Sequence, residues 1–147
     1  MSQSTRPRIL PQALSERNLA WLGWLLSGLV VLVLGADSAV SLGAPSLIEA
    51  DMAATGFPTR LAPILGTMIF VSALLYAIPR TAVLGAILVT AFLGGAIAIH
   101  FRLGEIGSPP QIVSLGLGVL AWGGLYLRDA RVRALLPLVS SGQPRST

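Results

Sequence analysis

Four apolar runs, each bounded by charged residues, constrain this chain more than any other feature. A helix needs roughly 20 mostly apolar residues to cross about 30 Å of hydrocarbon. The first run, Leu19 to Ala36, reads LAWLGWLLSGLVVLVLGA and meets no charge before Asp37. The second lies between Arg60 and Arg80, and the third between Arg80 and Arg102 with His100 near its end. The fourth lies between Glu105 and Arg128; its opening IGSPPQ reads as a turn, which sets the helix start near Gln111. None of the runs carries a polar stripe at helical spacing, as expected of segments surrounded by lipid and by other apolar helices. Lipid offers no water to backbone groups, so only helices or a closed barrel can span it. The ten-residue alternation of barrel strands is not seen. Composition agrees: 54% of residues are hydrophobic and 11% charged, against about 25% charged in soluble domains. A water-covered globule is excluded, and so is a disordered chain, which would be far less apolar. The expectation is an all-α membrane protein, a four-transmembrane-helix bundle with spans near 19–40, 60–79, 81–101 and 111–127.

The connections refine this picture. Spans two and three are separated by little more than Pro79-Arg80, which forces an antiparallel hairpin, with Thr81 expected as the N-cap of span three. Spans one and two are separated by a long stretch, Asp37 to Arg60. Within it, Ser46 and Glu49 match a capping box after Pro45, while Gly56 and Pro58 form a stop signal. A short outer-face helix over Leu47 to Thr55 is therefore expected between spans one and two. The chain divides into an N-terminal cytoplasmic tail (1–16), a four-helix membrane domain (17–138) and a disordered C-terminal tail (139–147), with Met1 to Pro7 and Ser140 to Thr147 the segments expected to lack order. The competing reading of span one, a cleaved signal peptide, is disfavoured by its 18-residue apolar run, the long segment before it and the poor cleavage site Gly35-Ala36-Asp37.

Arginine distribution sets the expected orientation. Arg6, Arg8, Arg17, Arg80, Arg128, Arg131, Arg133 and Arg145 fall on one side of the four spans, and Arg60 and Arg102 on the other. Basic residues near span ends favour the cytoplasm, so both termini are expected there, in the cell (inner) membrane. Asp37, Glu49, Asp51 and Glu105 fall on the outer side. Trp21, Trp24 and Tyr126 fit an aromatic belt at the inner headgroups. The basic segment after Arg128 reads first as a topology anchor, and second as a site for anionic lipid.

Little in the chain points to catalysis. There is no cysteine and one histidine, so thiolate sites and multi-histidine metal or haem sites are not expected within this chain. The spans carry no charge at mid-depth, which disfavours ion or proton translocation by this chain alone. Ser27, Thr67, Ser72 and Thr90 are the mid-depth hydroxyls and are expected to bond to backbone or to a neighbouring helix rather than to line a pore. Asp37 and His100 have equal expected depth on antiparallel spans, with Arg102 close by. They are the weak candidates for a cofactor site, such as one for a quinone headgroup, against the reading that they mark the water interface. Eleven glycines lie within the spans; they serve either packing inside one bundle or an oligomer interface.

The stretch Leu75-Tyr76-Ala77-Ile78-Pro79-Arg80-Thr81-Ala82-Val83-Leu84-Gly85-Ala86-Ile87-Leu88 resembles the DoxX-like family of small bacterial membrane proteins. So do Gly94-Gly95-Ala96, His100-Phe101-Arg102-Leu103-Gly104-Glu105 and Trp122-Gly123-Gly124-Leu125-Tyr126-Leu127-Arg128-Asp129. The resemblance runs from about Trp21 to Leu138 and implies a four-helix membrane bundle. The family takes its name from a subunit associated with a thiosulfate:quinone oxidoreductase and terminal oxidase system, an activity that does not transfer to this branch. The family pattern in span one has an acid followed four residues later by lysine; here the acid is Asp37 and the later residue is Ser41. The histidine and arginine of the family's third span are matched by His100 and Arg102. Three functions follow as expectations: a structural, accessory or partner-binding subunit without catalysis of its own, a quinone-binding subunit of a membrane oxidoreductase, and a small transporter or channel. The expected partners are the lipid bilayer and other membrane subunits or further copies of the chain; nucleic acid is not among them.

Overall fold

The computed structural model describes residues 10–136, with side chains described from Glu16 onward. The tails expected to lack order, and with them Arg6, Arg8 and Arg145, lie outside the described residues. Every regular element among the described residues is helical. The long helices are α1 (Leu10–Gly43), α3 (Ala62–Ala77), α4 (Ala82–Arg102) and α5 (Pro109–Arg128). A loop between α1 and α3 holds a 3-10 turn (Pro45–Ile48), the short α2 (Glu49–Ala54) and a second 3-10 turn (Thr59–Leu61). A final short helix, α6 (Ala130–Leu135), follows α5 after a break at Asp129. Four segments are long and apolar enough to cross a bilayer, so the chain is a multi-pass membrane protein.

The four long helices form a closed ring. α1 packs on α3 and on α5, and α4 packs on the same two helices from the opposite side. α1 and α4 thus stand across the diagonal. The antiparallel course makes two ends: an arginine-rich end with Arg17, Arg80, Arg128, Arg131 and Arg133, and a loop end with α2, His100, Arg102 and Glu105. The core between the helices contains Val30, Leu34, Ile69, Tyr76, Val89, Leu93, Leu117 and Leu125. The outer surface is also apolar, with Leu25, Leu32, Ile64, Leu115 and Val119 exposed. Hydrocarbon is as apolar as leucine, so burial cannot drive these helices together; close packing and interhelical hydrogen bonds must. Glycine supplies the close packing at a few places. A Cβ on Gly85 would stand 2.1 Å from the Tyr76 amide nitrogen, and one on Gly124 would stand 2.7 Å from Ser27 Oγ. The α3–α4 and α1–α5 contacts therefore exist at their observed separation because these positions have no side chain.

The element boundaries differ from expectation where local capping decides them. α1 runs beyond its expected span at both ends, and its 34 residues extend about 51 Å, well past the hydrocarbon thickness. At its C-terminal end Ser38 and Ser41 are buried, and Ser38 Oγ donates to the Gly66 carbonyl at 2.9 Å. α5 begins at Pro109 rather than Gln111, because two prolines occupy the first helical turn, where no amide donor is needed. Thr81 does precede α4, but its hydroxyl turns back and donates to the Leu75 carbonyl at 2.8 Å instead of capping forward. The short helix between spans one and two forms, yet not through the Ser46–Glu49 box. Ser46 sits inside the 3-10 turn, and no side chain caps either segment. Its stop is as expected: Gly56 has φ +79, and Phe57 N donates to the Met52 carbonyl at 2.8 Å, the glycine cap of a helix C-terminus.

Candidate functional site

At the loop end, α4 finishes with the same type of glycine cap. Gly104 takes φ +78, Gly104 N donates to the Phe101 carbonyl at 3.0 Å, and Glu105 N donates to the His100 carbonyl at 3.0 Å. That cap brings residues His100 and Glu105 together. In most such caps the two positions make an apolar contact; here they make a polar one, His100 Nδ1 to Glu105 Oε2 at 2.6 Å. This is the one contact between an acidic and a basic side chain among the described residues, ionic when His100 is protonated. Asp37 and His100 therefore do not form the expected pair. Position along a span does not fix which helices are neighbours, and α1 and α4 are diagonal. Asp37 lies on an exposed face of α1. Arg102 reaches a third place: its Nη2 donates to the Thr55 carbonyl at 3.3 Å and so ties the end of α4 to the end of α2.

Below that tie lies a cavity of about 420 Å³ between α3, α4 and the α1–α3 loop. Met52, Phe57, Met68, Phe92 and Ile99 line it, with His100 and Thr55 at its polar edge. Of the three sequence candidates, His100 alone lines this cavity. A lipophilic molecule with a small polar head suits such a lining, since ligand cavities are mostly apolar with a few polar groups. Gln111, at the start of α5, ties the loop end together from the other side. Its Oε1 accepts from Gly107 N at 2.7 Å, and its Nε2 donates to the Ile97 carbonyl at 3.3 Å.

The more extensive polar cluster is at the arginine-rich end, where sequence reasoning placed only a belt and an anchor. Tyr76 is fully buried; its hydroxyl donates to the Ala121 carbonyl at 2.7 Å and shares a 2.9 Å hydrogen bond with Ser27 Oγ. Arg128 Nη2 donates to the Tyr76 carbonyl at 2.9 Å. The same guanidinium lies 4.6 Å from the Trp24 ring centre and 5.0 Å from that of Tyr76, within cation–π range. Ser27 thus bonds to a neighbouring helix as expected. The other mid-depth hydroxyls, Thr67, Ser72 and Thr90, donate to carbonyls four residues back in their own helices. The signal for this cluster was in the sequence: a tyrosine one turn before a Pro-Arg-Thr break, and an arginine at the matching end of span four. What the sequence does not show is that Tyr76 points inward.

Among the described residues, no group of three or more His, Cys, Asp or Glu side chains is placed to hold a metal ion. The DoxX-like family matches residues 25–124, more than half of the chain. No curated protein and no solved structure gives a significant match.

Two substitutions separate the ends energetically. His100→Ala removes a pair whose acid is 51% exposed and is expected to change stability in mild detergent by no more than about 0.5 kcal/mol. Arg128→Ala removes a charged hydrogen bond and two ring contacts, and is expected to cost about 2–3 kcal/mol. Thermal unfolding of both variants checks this. A larger loss for His100→Ala than for Arg128→Ala would reverse the assignment.

Proposed function

The chain belongs to the DoxX-like family, and we propose that within it this protein is an accessory or partner-binding subunit of a membrane assembly, without catalysis of its own. The supporting observation is the division of its glycines. Gly23, Gly66, Gly85 and Gly124 touch neighbouring helices so closely that a Cβ would collide. Gly28, Gly35, Gly94, Gly95, Gly116, Gly118 and Gly123 face open space. Glycine in a helix interior costs about 1 kcal/mol relative to alanine, and the isolated bundle gains nothing from these seven. Open glycines let a further helix approach closely. Gly28 and Gly35, two turns apart on α1, are offered as the face for that helix, from another membrane subunit or a second copy.

A second reading, a quinone-binding subunit, draws support from the apolar cavity with His100 at its edge. It rests on His100, with Arg102 holding the loop above, and no longer on Asp37. The arginine-rich end is assigned to the cytoplasmic side of the cell membrane by the positive-inside rule.

Pull-down from native membranes in mild detergent tests the first reading. Gly28→Leu/Gly35→Leu fits the fold, since nothing lies within 4 Å of either Cβ position. It is expected to keep its unfolding midpoint and to lose the recovered partner or the cross-linked second copy. Unchanged recovery sinks the partner face, and quinone extracted in equal amount with the purified chain would favour the second reading. Orientation is checked by single cysteines at Ser46 and Thr81 with an impermeant thiol reagent. Labelling at 46 alone is expected in intact cells; labelling at 81 alone would invert the assignment.

A further inference from the structure

A groove of about 570 Å³ runs along the α4–α5 side of the bundle, away from the α1 face considered above. Its floor includes Gly94, Gly118 and Gly123, and a Cβ at any of the three would meet nothing within 4 Å. The groove exists because these residues lack side chains. Two of its polar side chains are paired: Trp122 Nε1 donates to Thr90 Oγ1 at 2.9 Å, and Thr90 Oγ1 donates to the Ala86 carbonyl at 2.7 Å. Apart from the hydroxyls of Ser114 and Tyr126, the surface left for an occupant is apolar. From Ser114 to Tyr126, both on its wall, the groove follows α5 for about 18 Å. That is roughly the acyl depth of one leaflet, half of about 30 Å.

The groove ends at α6, where Val132 and, just past the helix, Leu136 join the wall. Val132 is buried, while its neighbours Arg131 and Arg133 are exposed. Arg133 Nη1 donates to the carbonyls of Tyr126 and Leu127, at 3.2 and 2.7 Å. Tyr126 lines the groove, so this contact holds a guanidinium at the groove's mouth. Neutral carbonyls leave its charge uncompensated, and among the described residues no carboxylate makes an ion pair with Arg131 or Arg133. A leaflet-deep apolar channel therefore opens beside the Arg133 cation at the headgroup level, while Arg131 lines a separate hollow with Trp24, Pro79 and Arg128, next to the Asp129 carboxylate that accepts from its amide at 2.9 Å.

We propose that the α4–α5 groove holds one acyl chain of an anionic phospholipid, whose phosphate is bound at the groove's mouth by Arg133. The charge at the mouth selects an anionic head, and the glycine floor accepts the chain. A partner helix in the same groove would bring no negative charge to the mouth by virtue of being apolar.

The test is native mass spectrometry of the full chain released from bilayers of phosphatidylglycerol and phosphatidylcholine in equal amounts. One phosphatidylglycerol per chain is expected, enriched about fivefold, the factor that one basic side chain near the surface contributes. Arg133→Gln is expected to bring the ratio to about 1. Gly94→Leu/Gly118→Leu, with Arg133 intact, is expected to shed the retained lipid. Equal retention of the two lipids by the unaltered protein overturns the proposal. So does undiminished retention by the glycine variant, which would mean attraction by headgroup charge alone, or a second copy cross-linked through residue 118. A second measurement needs neither variant to fold: brominated phosphatidylglycerol is expected to quench fluorescence more than brominated phosphatidylcholine does. That difference is expected to vanish in Trp122→Phe; a difference that survives there places the bound chain elsewhere and overturns the proposal.

Discussion

Tyr76 is the point on which the four long helices converge, and the reason is the chemistry of a helix end in a dry place. α3 stops at Ala77 because Pro79 follows. The last carbonyls of a helix lack amide partners, and proline removes the donor that the Leu75 carbonyl would otherwise receive. Shielded by the packed helices, such groups need other donors. Thr81 Oγ1 supplies one to Leu75, and the Arg128 guanidinium supplies one to Tyr76. The Tyr76 side chain then does for its neighbours what Arg128 does for its backbone: its hydroxyl bonds to α5 at Ala121 and to α1 at Ser27. Gly85 of α4 presses on the Tyr76 backbone from the remaining side. One break in one helix thus draws in all three others.

Much of this fold was legible in the sequence, for reasons specific to a bilayer. The charges that bound the apolar runs are hard limits on what can sit in hydrocarbon, so four spans, the hairpin at Arg80 and the short helix stopped by Gly56 could be read directly. The details that escaped were set by competition among donors. Thr81 and Ser46 both match capping patterns, but the Leu75 carbonyl took the Thr81 hydroxyl, and the 3-10 turn absorbed Ser46. Span lengths carry no information on ring order, so the expected pairing of Asp37 with His100, on the diagonal helices α1 and α4, is not found. Gly104 between a histidine and an acid was a local signal that the pair would be His100–Glu105, closed by a glycine cap.

The same donor competition explains why the polar residues of the bundle are poor evidence for catalysis. Ser27, Ser38, Tyr76, Thr81, Gln111 and Arg128 all satisfy backbone or one another. The surface, by contrast, is left with unfilled space: open glycines on α1, a groove on α4 and α5, and an apolar cavity under the α1–α3 loop. The bundle thus closes its inside with hydrogen bonds and leaves its free volume at its apolar surface.

A double-mutant cycle of Ser27→Ala and Tyr76→Phe, followed by reversible unfolding in mild detergent, tests most directly whether the buried tyrosine ties the helices together. Interhelical hydrogen bonds in membranes average about 0.6 kcal/mol and reach about 1.7 kcal/mol. A coupling of about 0.5–1.5 kcal/mol between the two positions is expected, since neither side chain offers the other a substitute once its partner is gone. Additive losses, with a coupling indistinguishable from zero, would mean that the helices are held by shape alone and that Tyr76 is not the point of convergence.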